Sequence, residues 1–308
     1  MTIIFLLLGL ATLIVGGEFL VKGSIGIAKK FNISSLVIGM TVISFGTSAP
    51  ELIVSIKSAL SGNPEIALGN VIGSNIANIG LILGITVLIF PIIINRNTKI
   101  LDWPVMFGAS LLFFFFAYDG IISRFEGMTL FTLLITFTVF LIRKSRKEPA
   151  VPTKEDEPTM KPMLAVGYLL LGLVGLYFGA EWLLDSAVKL AKDFGMEERV
   201  IAITIVAFGT SVPELITSCI AAFKKETDIA IGNLIGSNIF NIMSVVGLTA
   251  FVEPMKVSDN ILNIDMLWML GLSLLLLPLI MFGKKLGKFK GALLLSVYII
   301  YISTLLLA

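Results

Sequence analysis

A shift of 163 residues lays one long segment of this chain onto another. Gly16 falls on Gly179, Glu18 on Glu181 and Phe31 on Phe194. The same shift carries Gly46-Thr47-Ser48-Ala49-Pro50-Glu51-Leu52-Ile53 onto Gly209-Thr210-Ser211-Val212-Pro213-Glu214-Leu215-Ile216. It also carries Gly69-Asn70-Val71-Ile72-Gly73-Ser74-Asn75-Ile76-Ala77-Asn78 onto Gly232-Asn233-Leu234-Ile235-Gly236-Ser237-Asn238-Ile239-Phe240-Asn241. No gap is needed from Gly16 through Pro91, which lands on Pro254. One structural unit is therefore written twice, and a fold that suits one half must suit the other.

The solvent for that fold is a bilayer. Apolar residues make up 56% of the 308 and charged residues only 14%, against about 25% charged in soluble domains. Apolar runs of about 20 residues, each able to cross a hydrocarbon core, recur along the chain. The first run lacks a basic n-region and a cleavage site, so it is read as a first span and not as a signal peptide. Hydropathy and breakers give ten spans, roughly 3–28, 35–61, 65–91, 102–119, 122–142, 163–191, 199–223, 228–252, 262–282 and 289–307. A polar, proline-punctuated linker, 144–161, separates a first half, 1–143, from a second, 162–308. The repeated segments lie within 35–91 and 199–254.

Five spans per half is an odd number, so the second half enters the membrane inverted relative to the first. Basic residues test this independently. With the N-terminus outside, the cytoplasmic loops hold 16 of the 23 Lys and Arg residues. The expectation is an all-α membrane protein of ten helices in two inverted five-helix repeats, with both termini extracellular, a transporter architecture.

Cys219 is the only cysteine and histidine is absent. Thiolate clusters and imidazole sites are excluded, so a bound metal must be a hard ion held by oxygen. The polar residues of the spans gather in the repeated motifs. Pro50 and Pro213 remove a helical donor and clash with the carbonyl four residues earlier. The second and seventh spans should therefore break near Gly46–Pro50 and Gly209–Pro213, where freed groups line a cavity. Thr47, Ser48 and Glu51 share a helical face, as do Ser74 and Asn78; Thr210, Ser211, Glu214, Ser237 and Asn241 repeat the pattern. Gly69, Gly73, Gly232 and Gly236 are small residues spaced for close helix approach.

Two carboxylates, hydroxyls and amide oxygens suit Ca²⁺, which takes about 6–8 oxygen ligands. One Ca²⁺, two Na⁺ or two protons would neutralise Glu51 and Glu214. A buried glutamate costs at least roughly 2.5–3.5 kcal/mol on insertion scales, which argues against a merely structural use. For Asn70, Asn75, Asn233 and Asn238, interhelical hydrogen bonding explains the residues as well as ligation does. Glu18 and Glu181 fit helix stapling, an entrance role or direct ligation equally. A channel could also use inward carboxylates, but inverted repeats weigh against it.

The Gly-Thr-Ser-Ala-Pro-Glu and Gly-Thr-Ser-Val-Pro-Glu segments, with the two Gly-Asn-x-x-Gly-Ser-Asn motifs, resemble the alpha-repeat signatures of the sodium/calcium exchanger family. The resemblance covers essentially the whole chain and is to a compact prokaryotic member. It implies an antiporter, not an enzyme, that exchanges Na⁺ for Ca²⁺ by alternating access in the cell membrane, with no cofactor and no nucleic-acid partner. By position it implies that Glu51 and Glu214 bind both ions, with the Thr47 and Thr210 carbonyls joining the Ca²⁺ site. Ser48, Ser74, Ser211 and Ser237 would serve Na⁺, Ser44 and Ala207 would offer backbone carbonyls, and Asn78 and Asn241 would line the middle. The short linker leaves no room for calcium-sensing domains. Several members carry aspartate where this chain has Asn241, a departure that argues against potassium dependence. Proton/calcium exchange through the same glutamates is the alternative.

Overall fold

The computed structural model describes residues 1–147, 160–196 and 207–307. Helices dominate: α1 Thr2–Phe31, α2 Ser35–Thr47, α3 Ala49–Leu60, α4 Pro64–Ile89, α5 Thr98–Ala117 and α6 Arg124–Lys147. They continue as α7 Pro162–Asp193, α8 Ala207–Thr210, α9 Val212–Phe223, α10 Thr227–Val252, α11 Ile261–Met281 and α12 Lys288–Leu307. Four two-residue strands, β1 Ile92–Ile93, β2 Ile121–Ile122, β3 Met255–Lys256 and β4 Lys285–Leu286, lie in the connections.

Eight described helices are long and apolar enough to cross a membrane; α2 and α3 together make a ninth span, bent by 44°. The protein is thus all-helical and multi-pass. The expected span 199–223 is described only from residue 207, and most of the expected linker 144–161 also lies outside the described residues.

The chain divides into two compact units, and neither unit follows the sequence halves. One holds Met1–Thr47 and Thr136–Asn233; the other holds Ser48–Ile135 and Leu234–Ala308. Each draws on both repeats.

In the first unit α1 and α7 run antiparallel along a seam of small residues. Gly9, Gly16 and Gly23 recur every seven residues on α1, as do Ala165, Gly172 and Gly179 on α7. Seven residues is close to two helical turns, so each set stays on one face. A Cβ at Gly16 would sit 2.8 Å from the Leu176 nitrogen, and one at Gly172 only 2.4 Å from the Leu20 nitrogen. Backbone therefore packs on backbone, which only glycine permits. The next residue along, Gly17, faces Ile216 and Ile220 of α9. Ser34 caps α2 by accepting from the Val37 amide at 3.3 Å, while its own amide donates to Ser145 Oγ at 2.7 Å.

The second unit repeats the device. Gly84 on α4 meets Gly291 on α12, and Gly247 on α10 meets Gly127 on α6. Trp103 Nε1 donates to the Ser273 carbonyl at 2.8 Å, joining α5 to α11. Antiparallel ladders tie the connections: Ile93 opposite Lys285, and Ile121 opposite Lys256. Outward side chains such as Phe115 and Phe125 are apolar and exposed, as a lipid-facing surface requires.

Candidate functional site

The helix breaks fall where proline chemistry puts them. Ser48 stops α2 at φ −86°, ψ 6°, and α3 restarts with Pro50 in its first turn. Ser211 stops α8 at φ −89°, ψ 3°, and α9 restarts with Pro213 in its first turn. Proline is tolerated there because first-turn amides have no intrahelical acceptor. Glu51 and Glu214 consequently stand in the first turns of α3 and α9, where the positive end of the helix dipole favours a carboxylate. Both are fully buried.

Burial extends to the other candidates. Ser44, Thr47, Ser48, Ser74, Asn78, Thr210, Ser211, Ser237 and Asn241 expose at most 3% of their surface. Ala207 opens α8, and only its backbone is described.

The first unit holds Ser44, Thr47, Ala207, Thr210, Ser211 and Glu214. The last turn of α2, carrying Ser44 and Thr47, packs against α9. Asn233 organises this region. It donates to Ser218 Oγ on α9 at 3.0 Å, Thr47 Oγ1 lies 3.2 Å from its Oδ1, and its carbonyl accepts from Ser44 Oγ at 3.0 Å.

Ser48, Glu51, Ser74, Asn78, Ser237 and Asn241 belong to the second unit. Helices α3 and α4 pack on one another, and both touch the turn that begins at Asn241. Asn70 donates to Ser55 Oγ at 3.1 Å and to the Glu51 carbonyl at 3.3 Å. The Asn70–Ser55 and Asn233–Ser218 bonds are related by the 163-residue shift. In each repeat they brace the glutamate helix against the next one, which is one of the two uses left open for these asparagines. Asn75 reaches Met269 Sδ at 3.6 Å, and Asn238 bonds back to the Leu234 carbonyl at 2.8 Å.

Two features of the site had no clear sign in the sequence. Asn78–Ile82 and Asn241–Val246 are π-helical turns set inside α4 and α10, a distortion frequent at functional sites. Each begins at a candidate asparagine. Both side-chain amides are buried, and none of their four polar atoms has a hydrogen-bond partner among the described residues. Leaving such groups unsatisfied costs about 1–3 kcal/mol apiece, so their placement is costly unless a ligand uses it. Thr217, one turn beyond Glu214, is likewise buried with an unpartnered Oγ1; its counterpart under the shift is Val54, so the repeat gave it no prominence.

The two repeats are covered unequally. Ile229, Gly232 and Asn233 of α10 are buried, and Gly232 lies against Leu36 and Met40 of α2 as its small size allows. The corresponding Ile66 and Gly69 of α4 are exposed, with Asn70 and Gly73 half-buried. A Cβ at Gly69 or Gly73 would meet no described atom within 4 Å. The close approach expected at the motif glycines is thus seen at Gly232; at Gly69 and Gly73 no described residue makes it, and residues 199–203, the counterparts of those that cover Gly232, lie outside the described residues.

Glu18 is exposed and paired with Lys224 at 2.9 Å, joining α1 to the end of α9. Glu181 is also exposed. Lys22 stands 4.5 Å from the ring centre of Tyr168 on α7.

This arrangement of paired broken helices, buried glutamates and symmetric asparagines has close parallels. The sodium/calcium exchanger protein family matches residues 1–143 and 164–307. The sodium/calcium exchanger MaX1 of Methanosarcina acetivorans is 31% identical over 98% of this chain and 97% of its own. The inner membrane protein YrbG of Escherichia coli is 36% identical over 81% of this chain and 79% of its own. Among solved structures, the sodium-calcium exchanger NCX_Mj, soaked with Na⁺ and Ca²⁺, superposes with a TM-score of 0.87 at 34% identity, covering 99% of this chain and 98% of that one. On the match along both halves and these full-length relatives, the chain belongs to the sodium/calcium exchanger family of membrane cation transporters.

Proposed function

We propose that this chain exchanges Na⁺ for Ca²⁺ by alternating access, extruding calcium across the cell membrane, with Glu51 and Glu214 as the carboxylates that carry the cation. The carrying observation is the pair of fully buried glutamates, each at the start of a restarted helix, accompanied by two buried asparagine amides without partners among the described residues. Moving two buried carboxylates across the membrane with no bound cation would be costly. One Ca²⁺ or two Na⁺ relieve that cost, which couples the ions and suppresses leak. Three Na⁺ per Ca²⁺ would move one net positive charge.

In this reading Thr47 and Thr210 add carbonyl oxygen for Ca²⁺, Ser48, Ser74, Ser211 and Ser237 serve Na⁺, and Ser44 and Ala207 lend carbonyls. Asn78 and Asn241 complete the centre. Transport needs ion binding and conformational change only, and no covalent step.

The topology we propose is ten spans in inverted halves, 1–143 and 162–308, with both termini outside. Helices α1 and α7, related by the repeat, run antiparallel, which supports inversion. The ladder of β1 with β4 sets the connection after α4 beside that after α11. Six of the ten expected spans lie between them; without one through 199–223 the count would be five, and the two connections would face opposite sides.

The test is calcium flux into proteoliposomes under separately imposed Na⁺ and H⁺ gradients. Flux driven by the Na⁺ gradient alone supports the proposal. Flux driven only by the H⁺ gradient replaces it with proton/calcium exchange through the same glutamates, and currents far above exchanger turnover would indicate a channel.

A further inference from the structure

The two ladder-tied ends of the second unit differ in charge. Segments 118–126 and 253–259, joined by β2 and β3, carry Asp119, Glu126, Glu253 and Asp259 against Arg124 and Lys256, with Arg124 and Glu253 3.9 Å apart. Segments 92–99 and 284–290, joined by β1 and β4, carry six basic residues and no acid. A topological bias toward basic loops explains the sign of that charge. It does not explain why a backbone ladder gathers two segments so distant in sequence into one basic patch.

Two of the six cations are committed to structure. Lys99 Nζ donates to the Gly283 carbonyl at 3.2 Å, and Lys290 Nζ to the carbonyls of Leu279 and Phe282, so both cap the C-terminal end of α11. That end carries the negative pole of the helix dipole, which the lysines offset. Arg96, Lys284, Lys285 and Lys288 are exposed, with no acidic partner among the described residues. Beside them Phe282 and Phe289 expose 75% and 83% of their surface. Exposed aromatics next to unpaired cations suit the headgroup layer, where rings meet acyl chains and cations meet phosphate.

We propose that Arg96, Lys284, Lys285 and Lys288, assembled by the β1–β4 ladder, form a binding site for the headgroup of an anionic phospholipid. The site is separate from the transported ion and stands whichever ion drives exchange. Each basic side chain near a membrane surface contributes roughly fivefold to binding of anionic lipid, so loss of all four should be large.

The test is native mass spectrometry of delipidated full-length protein titrated with phosphatidylglycerol or phosphatidylcholine. Unaltered protein is expected to retain phosphatidylglycerol at least about tenfold better, with the preference falling as salt screens it. The Arg96→Gln, Lys284→Gln, Lys285→Gln, Lys288→Gln variant should lose the preference. Lys284→Arg, Lys285→Arg, Lys288→Arg should keep it, as should Arg124→Gln, Lys256→Gln at the opposite end. No preference in the unaltered protein, one indifferent to salt, or equal loss in the opposite-end variant would overturn the site. Competition by glycerophosphate at the same concentration as the lipid would reassign it to a soluble anion.

Discussion

Asn233 is hydrogen bonded to Ser218, with 3.0 Å between Nδ2 and Oγ, on the helix that carries Glu214. Asn70 holds Ser55 on the helix of Glu51 in the same way. The shared bond fixes each glutamate helix against the one that follows. Asn233→Leu removes the side-chain amide that Ser218 and Thr47 share, while the backbone carbonyl that accepts from Ser44 stays, and should destabilise the protein by about 1–3 kcal/mol. Ser218→Ala should cost about 1 kcal/mol. Thermal unfolding in detergent reads the loss, and a weaker Ca²⁺ half-saturation should accompany it.

Glu51→Gln and Glu214→Gln keep the side-chain volume and remove the charge. Each should reduce calcium flux by about a hundredfold or more, while the melting temperature holds or rises because a buried charge has been removed. Radiolabelled Ca²⁺ uptake alongside thermal unfolding separates the two effects. Flux that persists in the double variant defeats the assignment.

Asn78 and Asn241 predict a trade between stability and binding. Replacing either by Leu removes buried polar atoms that lack partners, so the ion-free protein should gain about 1–3 kcal/mol. Ca²⁺ binding measured by calorimetry should weaken in the same variants. Stabilisation without weakened binding would leave the amides outside the site.

Lys224 and Glu18 make an exposed pair, so a double-mutant cycle should give a coupling no larger than about 1 kcal/mol, falling with salt. Lys224 is ten residues from Glu214, about 15 Å along α9 at the helical rise. Lys224→Gln should therefore leave Ca²⁺ half-saturation unchanged. A large affinity change in flux assays would return Glu18 to the list of ligands.

Gly172→Leu drives a side chain into the backbone of Leu20 and should abolish folded protein, seen as aggregation in size-exclusion chromatography. Gly69→Ala meets no described atom within 4 Å and should be neutral or stabilising, since alanine is the better helix former.

Much of this was legible before any coordinates. The 163-residue shift announced the matching placement of Glu51 and Glu214, and Pro50 and Pro213 announced the breaks, because proline acts on its own helix. The π turns at Asn78 and Asn241 were hidden, since one extra residue in a turn leaves no compositional trace. The exposure of Gly69 beside the burial of Gly232 was hidden for a deeper reason. Equivalent residues in a repeat are identical in sequence pattern, and the segment that the shift sets opposite Gly69, residues 199–203, lies outside the described residues. Thr217 escaped because it breaks the repeat, and the repeat was the guide.

The glycine seam and the two ladders also set an order of events at the ribosome. Gly9 and Gly16 leave it with no partner until Gly172 and Gly179 follow, and Ile93 waits nearly two hundred residues for Lys285. At about 5–20 residues per second, that interval is roughly ten to forty seconds. During it the first half stands in the bilayer with its tightest contacts unmade. Premature termination before α7 would thus strand a product whose earliest helix is already inserted but has nothing to close against.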